Sequence, residues 1–299
     1  MPAARLKVVH EPASREILKG KLDAVAEKYG RAYLGTDPLK FVHRYSDPLD
    51  QEVVALVAAA FAYGNVKVIF RAVERLLDLM GESPRAYLEE FDAVRERARL
   101  RGFRHRFHSG RDAALFFSLV AQAIRRHGSL GELFARGFSP RDEHVGPALS
   151  RFVEEILSGD PRPFYPSGKI PQPHGVRFLL SSPDDGSACK RMLLFLRWMI
   201  RPADGVDVGC WSRLVPASKL LIPLDTHTFR ICRFLGFTAR NAGDFRAAEE
   251  CTAVLRTLDA ADPVKYDFSL CRLGILDLCP SRRDEKKCVP CDLYEVCRL

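Results

Sequence analysis

Apolar side chains recur along most of this chain with the spacing of one face of an α-helix. The clearest case is residues 66–80, where they occupy Ile69, Ala72, Val73, Leu76, Leu77 and Met80, just before a glycine. Similar segments, each ended by a Gly or Pro, predict helices over residues 14–29, 50–62, 112–127, 143–157, 189–200, 226–235, 245–258 and 263–276. Strand patterns are scarce and short, at residues 6–9 and 176–180. We therefore predict an all-α fold whose helices pack around one or two cores.

Two segments interrupt the helical pattern. Residues 159–175 contain five prolines, which cannot lie inside a helix, so we predict an extended loop or short arm there. Residues 201–223 form a looser, glycine-containing connection between two predicted helices. The sequence shows no internal repeat and no low-complexity tract, so a repeat architecture is excluded.

Composition and charge indicate a globular chain that suits an anionic partner. The 299 residues are 47% hydrophobic and 28% charged, which is enough to build a core without disulfides. The net charge of +8 suits a partner that carries phosphates. The chain opens without a signal-peptide pattern, and its longest apolar run, residues 53–62, is about half of what a bilayer requires. We expect a soluble, cytoplasmic protein with no membrane partner.

The cysteines point to a metal centre near the C-terminus. Nine cysteines are an odd number for a secreted disulfide framework, and four of them fall in the last 21 residues. These four are separated by eight, two and five residues, at Cys279, Cys288, Cys291 and Cys297. Zinc usually takes two close ligand pairs, whereas a single close pair flanked by lone cysteines fits an iron–sulfur cluster better. Zinc and four free buried thiols are the alternatives. The remaining cysteines are expected to be inert core residues, at Cys189, Cys210, Cys232, Cys251 and Cys271.

A basic segment lies inside this cysteine loop. Residues 281–287 include Arg282, Arg283, Lys286 and Lys287. These cations either form an ordinary solvated surface or, on a loop stiffened by the metal, face the phosphates of a nucleic acid. In the second case their removal weakens binding to all sequences alike.

A carboxylate stands where the helix predicted over residues 226–235 begins. Asp225 follows Pro223-Leu224 and precedes Thr226-His227, so capping of the helix is enough to explain it. The complete Pro-Leu-Asp-Thr-His string, about fifty residues before the clustered cysteines, is more specific than a cap requires.

This combination resembles the helix-hairpin-helix DNA glycosylase superfamily, especially its endonuclease III-like branch. In that branch the catalytic Asp lies in a Val-Asp-Thr-His string, and a C-terminal loop holds a four-iron, four-sulfur cluster. The chain is still more similar to a poorly characterised glycosylase-like family that shares the strings Leu-Arg-Trp-Met and Pro-Leu-Asp-Thr-His, here residues 196–199 and 223–227.

The glycosylases place a glycine-rich hairpin before the Asp and a lysine at the start of the next helix. Residues 186–190, Gly-Ser-Ala-Cys-Lys, match that frame with Lys190 at the nucleophile's position. The match is partial, because Ala188 replaces the second hairpin glycine and the lysine-to-aspartate gap is about twice the usual one. The first two cluster cysteines are also separated by eight residues rather than six.

The resemblance implies two helical lobes and a set of DNA-binding residues. Residues 47–199 would form one domain, with the hairpin and an insertion near 128–183, and residues 1–46 plus 200–299 the other, with the cluster loop 279–297. Gly186 belongs to a hairpin whose backbone amides hold a phosphate. Tyr63 falls where the family places a side chain that fills the gap left by an extruded base, although an ordinary helix-end tyrosine packed on the core explains it equally.

The implied activity is excision of a damaged or mispaired base from duplex DNA by a monomeric enzyme. Asp225 would stabilise the positive charge that develops on the sugar as the N-glycosidic bond breaks. Lys190 would attack C1′ and form a Schiff base, which adds AP lyase activity, and its position in the first turn of a helix favours the neutral amine that such attack requires. The alternative for Lys190 is a plain surface cation beside Arg191. The alternative for the whole chain is a DNA-binding iron–sulfur protein without base excision, in one version redox-responsive.

Overall fold

The computed structural model describes residues 12–171 and 175–299, and within them it is mostly helical, which confirms the all-α class. The helices are α1 (Pro12–Lys28), α2 (Pro48–Ala60), α3 (Val66–Met80), α4 (Pro84–Glu89), α5 (Ala93–Arg99), α6 (Gly110–His127), α7 (Leu130–Gly137), α8 (Gly146–Leu157), α9 (Gly175–Leu179), α10 (Lys190–Ile200), α11 (Thr226–Phe234), α12 (Phe245–Arg256), α13 (Asp267–Ile275) and α14 (Glu285–Cys288). A small antiparallel pair is formed by β1 (Arg104–His105) and β2 (His108–Ser109). Short 3₁₀ segments occur at Arg31–Thr36, Pro38–Arg44, Pro183–Asp185, Ala217–Lys219 and Tyr294–Val296.

Helix α3 shows why the longest patterns were predicted well. Its bounds are the predicted residues 66–80. The Asn65 side chain accepts a hydrogen bond from the Lys67 amide at its start, and Gly81 ends it with a φ of 72°, which side chains other than glycine rarely adopt. The other predicted helices are confirmed with ends shifted by a few residues.

The second short strand prediction is wrong. Residues 176–180 were expected to be extended, but residues 175–179 form α9. Val176, Leu179 and Leu180 are all buried, and their spacing of three and four residues is that of a helical face rather than an alternating strand. The other predicted strand, residues 6–9, lies outside the described residues.

The core is built around α2 and α6. Almost every side chain of α2 is buried, and α2 packs on α10, α4 and the Pro38–Arg44 segment. Helix α6 packs on α4, α5, α7, α8 and α9, while α13 packs on α1 and α11. The buried apolar residues form one continuous cluster that includes helices on both sides of the predicted boundaries near residues 46 and 199. The division into two domains therefore stays a prediction.

A buried network of charges anchors the irregular residues 201–223 to the helices. The Arg197 guanidinium contacts Asp207 at 3.0 Å and Asp267 at 2.5 Å, and Arg201 contacts Asp207 and Asp262. Both arginines and Asp207 are almost inaccessible to solvent. Because such charges are stable inside a protein only when paired, the network fixes this segment beside α10 and α13. In the described part of the chain, no helix has the length and apolarity needed to cross a membrane.

Candidate active-site cleft

A cleft of about 500 Å³ opens between the ends of several helices. Its walls come from residues 36–38, the turn at 62–64 after α2, the start of α3, one side of α10, the start of α11 and one side of α13. Three residues predicted from the sequence line this cleft, namely Tyr63, Lys190 and Asp225. These three residues are far apart in sequence, and the folding of the chain brings them together in one cleft.

Asp225 and Lys190 lie side by side at one wall of the cleft. The distance from Lys190 Nζ to Asp225 Oδ2 is 3.7 Å, and the two side chains are 38% and 13% exposed. Asp225 also caps α11, because its Oδ1 accepts a hydrogen bond from the Thr228 amide at 2.6 Å. Capping thus occupies one carboxylate oxygen and leaves the other directed at the lysine.

The environment of Asp225 favours its ionised form. Burial by itself raises the pKa of this carboxyl. The positive charge of Lys190, hydrogen bonds from the Thr228 amide and the Cys271 thiol, and the nearby His227 together outweigh burial, so the pKa of Asp225 is lowered. A carboxylate that is mostly removed from water but still charged is a strong electrostatic partner for a developing cation.

Cys271 contacts this carboxylate directly. Its Sγ donates to Asp225 Oδ2 at 3.3 Å. Burial and the neighbouring negative charge raise the pKa of the Cys271 thiol, which keeps it protonated and able to donate. Cys271 is thus a largely buried, protonated thiol, as expected, but it also contacts the candidate site, which the sequence analysis did not predict. The helical spacing of α13 predicts that Cys271 is buried. It does not predict that this side chain meets Asp225, which lies at the N-terminus of α11.

Lys190 begins α10 as predicted. Its N-cap is Cys189, whose φ of 51° lies in the left-handed region. The neighbouring Arg191 is buried, with its guanidinium donating to the carbonyls of Ala60 and Phe178. Lys190 therefore does not extend from a solvated basic surface shared with Arg191; it projects into the cleft.

A short 3₁₀ segment and a turn lead into α10, and the predicted hairpin stays a prediction. Gly186 has a φ of 70° at the end of the Pro183–Asp185 segment, and a Cβ there would meet no atom within 4 Å. Its amide donates to the Pro183 carbonyl at 2.9 Å. Gly186 therefore supplies the turn, and the backbone amides of the first turn of α10 have no partner within the helix.

Tyr63 lines the cleft but is also packed and tethered. Its hydroxyl contacts His108 Nδ1 and donates to the His105 carbonyl at 3.2 Å. Its half-buried ring packs against the core and against Phe107 and Phe178. These contacts match the alternative of an ordinary helix-end tyrosine more closely than that of a freely inserting side chain.

The floor of the cleft contains charged residues that the sequence analysis missed. Asp267 lies beside Arg197, and burial outweighs the attraction of that arginine and raises the pKa of Asp267 to about 6. Arg272 bonds Asp37 at 2.7 Å, and the buried Thr228 hydroxyl has no hydrogen-bond partner among the described residues. The sequence did contain a signal for these residues: charged side chains occur inside the otherwise apolar faces of α10 and α13, and a charge at a buried position needs a partner.

The cysteine loop lies against α1 and α11. Lys28 pairs with Asp292 and Lys21 with Glu295, both at 2.9 Å. The Arg230 guanidinium donates to the Cys279 carbonyl at 2.6 Å. The N-terminal helix and the C-terminal loop are thus in direct contact.

The four loop cysteines lie near one another in the C-terminal loop, and thiols are suitable ligands for an iron–sulfur cluster or zinc. They are partly buried and form no disulfide with any described cysteine. Burial, which outweighs the positive charge of Arg230, raises the pKa of Cys279 to about 11, and the nearby thiols of Cys297 and Cys291 contribute to that rise. Over residues 12–171 and 175–299, no group of three or more His, Cys, Asp or Glu side chains converges closely enough to hold a metal ion. A cluster of several irons spaces its cysteine ligands farther apart than a single ion does.

The four cations of the basic segment differ in their surroundings. Arg282 and Lys286 are exposed. Arg283 donates to the Tyr294 hydroxyl at 2.9 Å, and Lys287 pairs with Asp277 at 2.5 Å. Arg282 and Lys286 are therefore the better placed of the four to meet an external anion.

Residues 37–276 match the model of a known protein family. The family is described as protein of unknown function, DUF2400, and because the matched residues are most of the chain, the chain belongs to it. The matched residues include Lys190, Asp225 and Cys271 and end before Cys279. Comparison with curated proteins and with solved structures gives no match.

Proposed function

We propose that this protein is a DNA N-glycosylase that excises a damaged or mispaired base, with Asp225 as electrostatic catalyst and Lys190 as nucleophile. The observation that carries the proposal is the approach of Lys190 Nζ to Asp225 Oδ2, 3.7 Å, at the wall of a cleft of about 500 Å³. An amine and a charged carboxylate held together in a cleft suit a reaction in which a sugar carbon becomes positive while it is attacked.

The chemistry balances with these two residues. The Lys190 nitrogen forms a bond to C1′ while the base leaves with the electron pair of the N-glycosidic bond. As the sugar ring opens to the Schiff base, the three hydrogens of the starting ammonium end on the departed base, on the ring oxygen and on the iminium nitrogen. Asp225 stabilises the cationic sugar throughout, which requires that it stay ionised. Loss of the 3′ phosphate from the Schiff base would then cut the strand.

We further propose that Cys279, Cys288, Cys291 and Cys297 hold a four-iron, four-sulfur cluster, with zinc as the alternative. When bound, the cluster supplies a rigid cross-link that ties the C-terminal loop to α1 and α11. Their partial burial and their mutual effects on thiol pKa support a common site. Protein purified without oxygen should be brown, with iron and acid-labile sulfide in equal amounts. A colourless protein with one zinc per chain would contradict the iron–sulfur assignment.

Borohydride trapping tests the proposed activity. Wild-type protein incubated with duplexes that contain lesions, mismatches or an abasic site should give a covalent adduct, and Lys190→Gln should give none. Lys169→Gln is the matched control, because Lys169 is an exposed lysine outside the cleft lining. Asp225→Asn keeps an N-cap residue but removes the charge, so we expect base release to fall by about 10²–10³ while α11 stays folded.

The same assay separates the rival function. Base release without an adduct would mean a glycosylase that does not use Lys190. Neither base release nor an adduct across a broad lesion panel, from a protein that binds DNA, would favour the non-catalytic DNA-binding protein.

A further inference from the structure

An aromatic surface lies beside the cleft. Phe107 is 61% exposed and Phe178 is 41% exposed, although both are large apolar side chains. Their ring centroids are 4.9 Å apart in an edge-to-face arrangement. Tyr63, which lines the cleft, contacts both, with centroid distances of 5.5 Å and 5.0 Å. We name Phe107 and Phe178 the rim pair.

Buried side chains support the rim pair. Phe107 lies in the turn between β1 and β2, next to Arg106, whose φ of 53° is left-handed. The flanking His105 and His108 are buried, and the Tyr63 hydroxyl contacts His108. On the other side, the buried Arg191 guanidinium lies 4.1 Å from the ring centroid of Phe178. The exposed rings therefore pack against buried side chains on one side and are open on the other.

Cations surround this surface. Arg104 and Arg106 of the hairpin are exposed, as is Lys67 at the start of α3. A Cβ on Gly64 would lie 2.9 Å from Arg106 Cδ, so this arginine crosses the turn at the mouth of the cleft. None of these three cations forms an ion pair with a described residue. The exposed aromatic rings can stack on the bases of a nucleic-acid strand, and the unpaired cations beside them can contact its phosphates.

We propose that the rim pair stacks on an unpaired base of DNA that lies across the cleft, while the neighbouring cations hold the flanking phosphates. This rests on the proposed function for the identity of the partner. Tyr63 links the rim pair to the cleft, so one strand can reach Lys190 and the rim pair together. Stacking on an aromatic side chain tolerates any base, whereas a fully paired duplex offers no free face. The rim pair therefore selects DNA with an unpaired base, and Tyr63 positions the hairpin that carries Phe107.

Fluorescence anisotropy with two duplexes of one sequence tests the proposal, one fully paired and one with a single-base bulge. Neither duplex needs to be cleaved. Wild-type protein should bind the bulged duplex about tenfold more tightly, equivalent to about 1.4 kcal/mol. Phe107→Ser/Phe178→Ser should bind both duplexes equally, with affinity for the paired duplex within about twofold of wild type. Val94→Ser is the matched control, because Val94 is an apolar residue of α5 that is 79% exposed and does not line the cleft.

The outcomes distinguish failure of the rim pair from failure of the glycosylase. Lys190→Gln should keep the preference for the bulged duplex, because stacking does not need the nucleophile. If the preference is present and the double variant loses it, the rim pair stands even when no borohydride adduct forms. If wild type shows no preference, if the double variant keeps it, or if the surface binds anionic vesicles and DNA binding is unchanged, the proposal is overturned.

Discussion

At the scale of single residues, Asp225 combines a structural and a chemical position. One carboxylate oxygen caps α11 through the Thr228 amide, and the other meets Lys190 and Cys271. The sequence alone supported the cap and, through the resemblance, the catalytic carboxylate as alternatives. The structure shows that the two are compatible, since each uses a different oxygen.

Replacement of Cys271 should shift the pH dependence of the reaction. The groups facing Asp225 are Lys190 from α10, the Thr228 amide and His227 from α11, and Cys271 with Asp267 from α13. Cys271→Ala removes a hydrogen bond that lowers the pKa of Asp225. The pKa should then rise, and the acid limb of base release, where Asp225 becomes protonated, should move to higher pH.

Cys271→Ser is the matched control for this prediction, because a hydroxyl can donate the same hydrogen bond and should restore the wild-type limb. The measurement is a single-turnover pH profile of base release. An identical acid limb for wild type and Cys271→Ala would show that the thiol does not act on Asp225. The stability that Asp225 contributes follows the same sign: it is present above the ordinary pKa of about 3.9 and is lost as the pH falls through the lower folded value.

At the scale of helices and segments, predictability followed length and periodicity. Helix α3 was predicted to the residue because its apolar face, N-cap and terminal glycine all agree. The short helices α4, α5 and α7 were not predicted, since one or two turns offer too few repeats to establish a period. Helix α9 was mistaken for a strand for the same reason, as five residues rich in Val, Leu and Phe fit either pattern.

The segment 201–223 should depend on its buried ion pairs. Asp207 is buried between Arg197 and Arg201, so Asp207→Ala leaves two arginines without this partner inside the core. We expect a loss of about 3–5 kcal/mol in the free energy of unfolding. Arg44 and Glu74 form the matched surface pair, each about 44% exposed, and Glu74→Ala should cost no more than ~1 kcal/mol.

Urea denaturation of both variants measures the difference. Equal losses for Asp207→Ala and Glu74→Ala would mean that the buried network contributes no more than a surface pair. Such a result would also weaken the view that this segment is fixed beside the cleft.

At the scale of the whole molecule, the cleft joins residues that lie far apart in the chain. Lys190 and Asp225 were singled out because each belongs to a recognisable local string. Cys271, Asp267 and Phe178 were not, because their positions depend on how α13 and α9 pack against the other elements. Short sequence motifs identify individual candidate residues. Which side chains share a site is decided by tertiary packing, which a single sequence does not show.

The basic segment of the C-terminal loop tests whether the proposed DNA contacts extend beyond the cleft. Arg282 and Lys286 are exposed, while Arg283 and Lys287 already bond Tyr294 and Asp277. Arg282→Gln/Lys286→Gln should weaken binding to all duplexes alike and reduce the slope of log K against log salt by about 2, because each phosphate contact contributes about 0.9. Arg283→Gln should change the slope less, since its tyrosine contact competes with a phosphate. An unchanged slope in the double variant would place this loop away from the DNA.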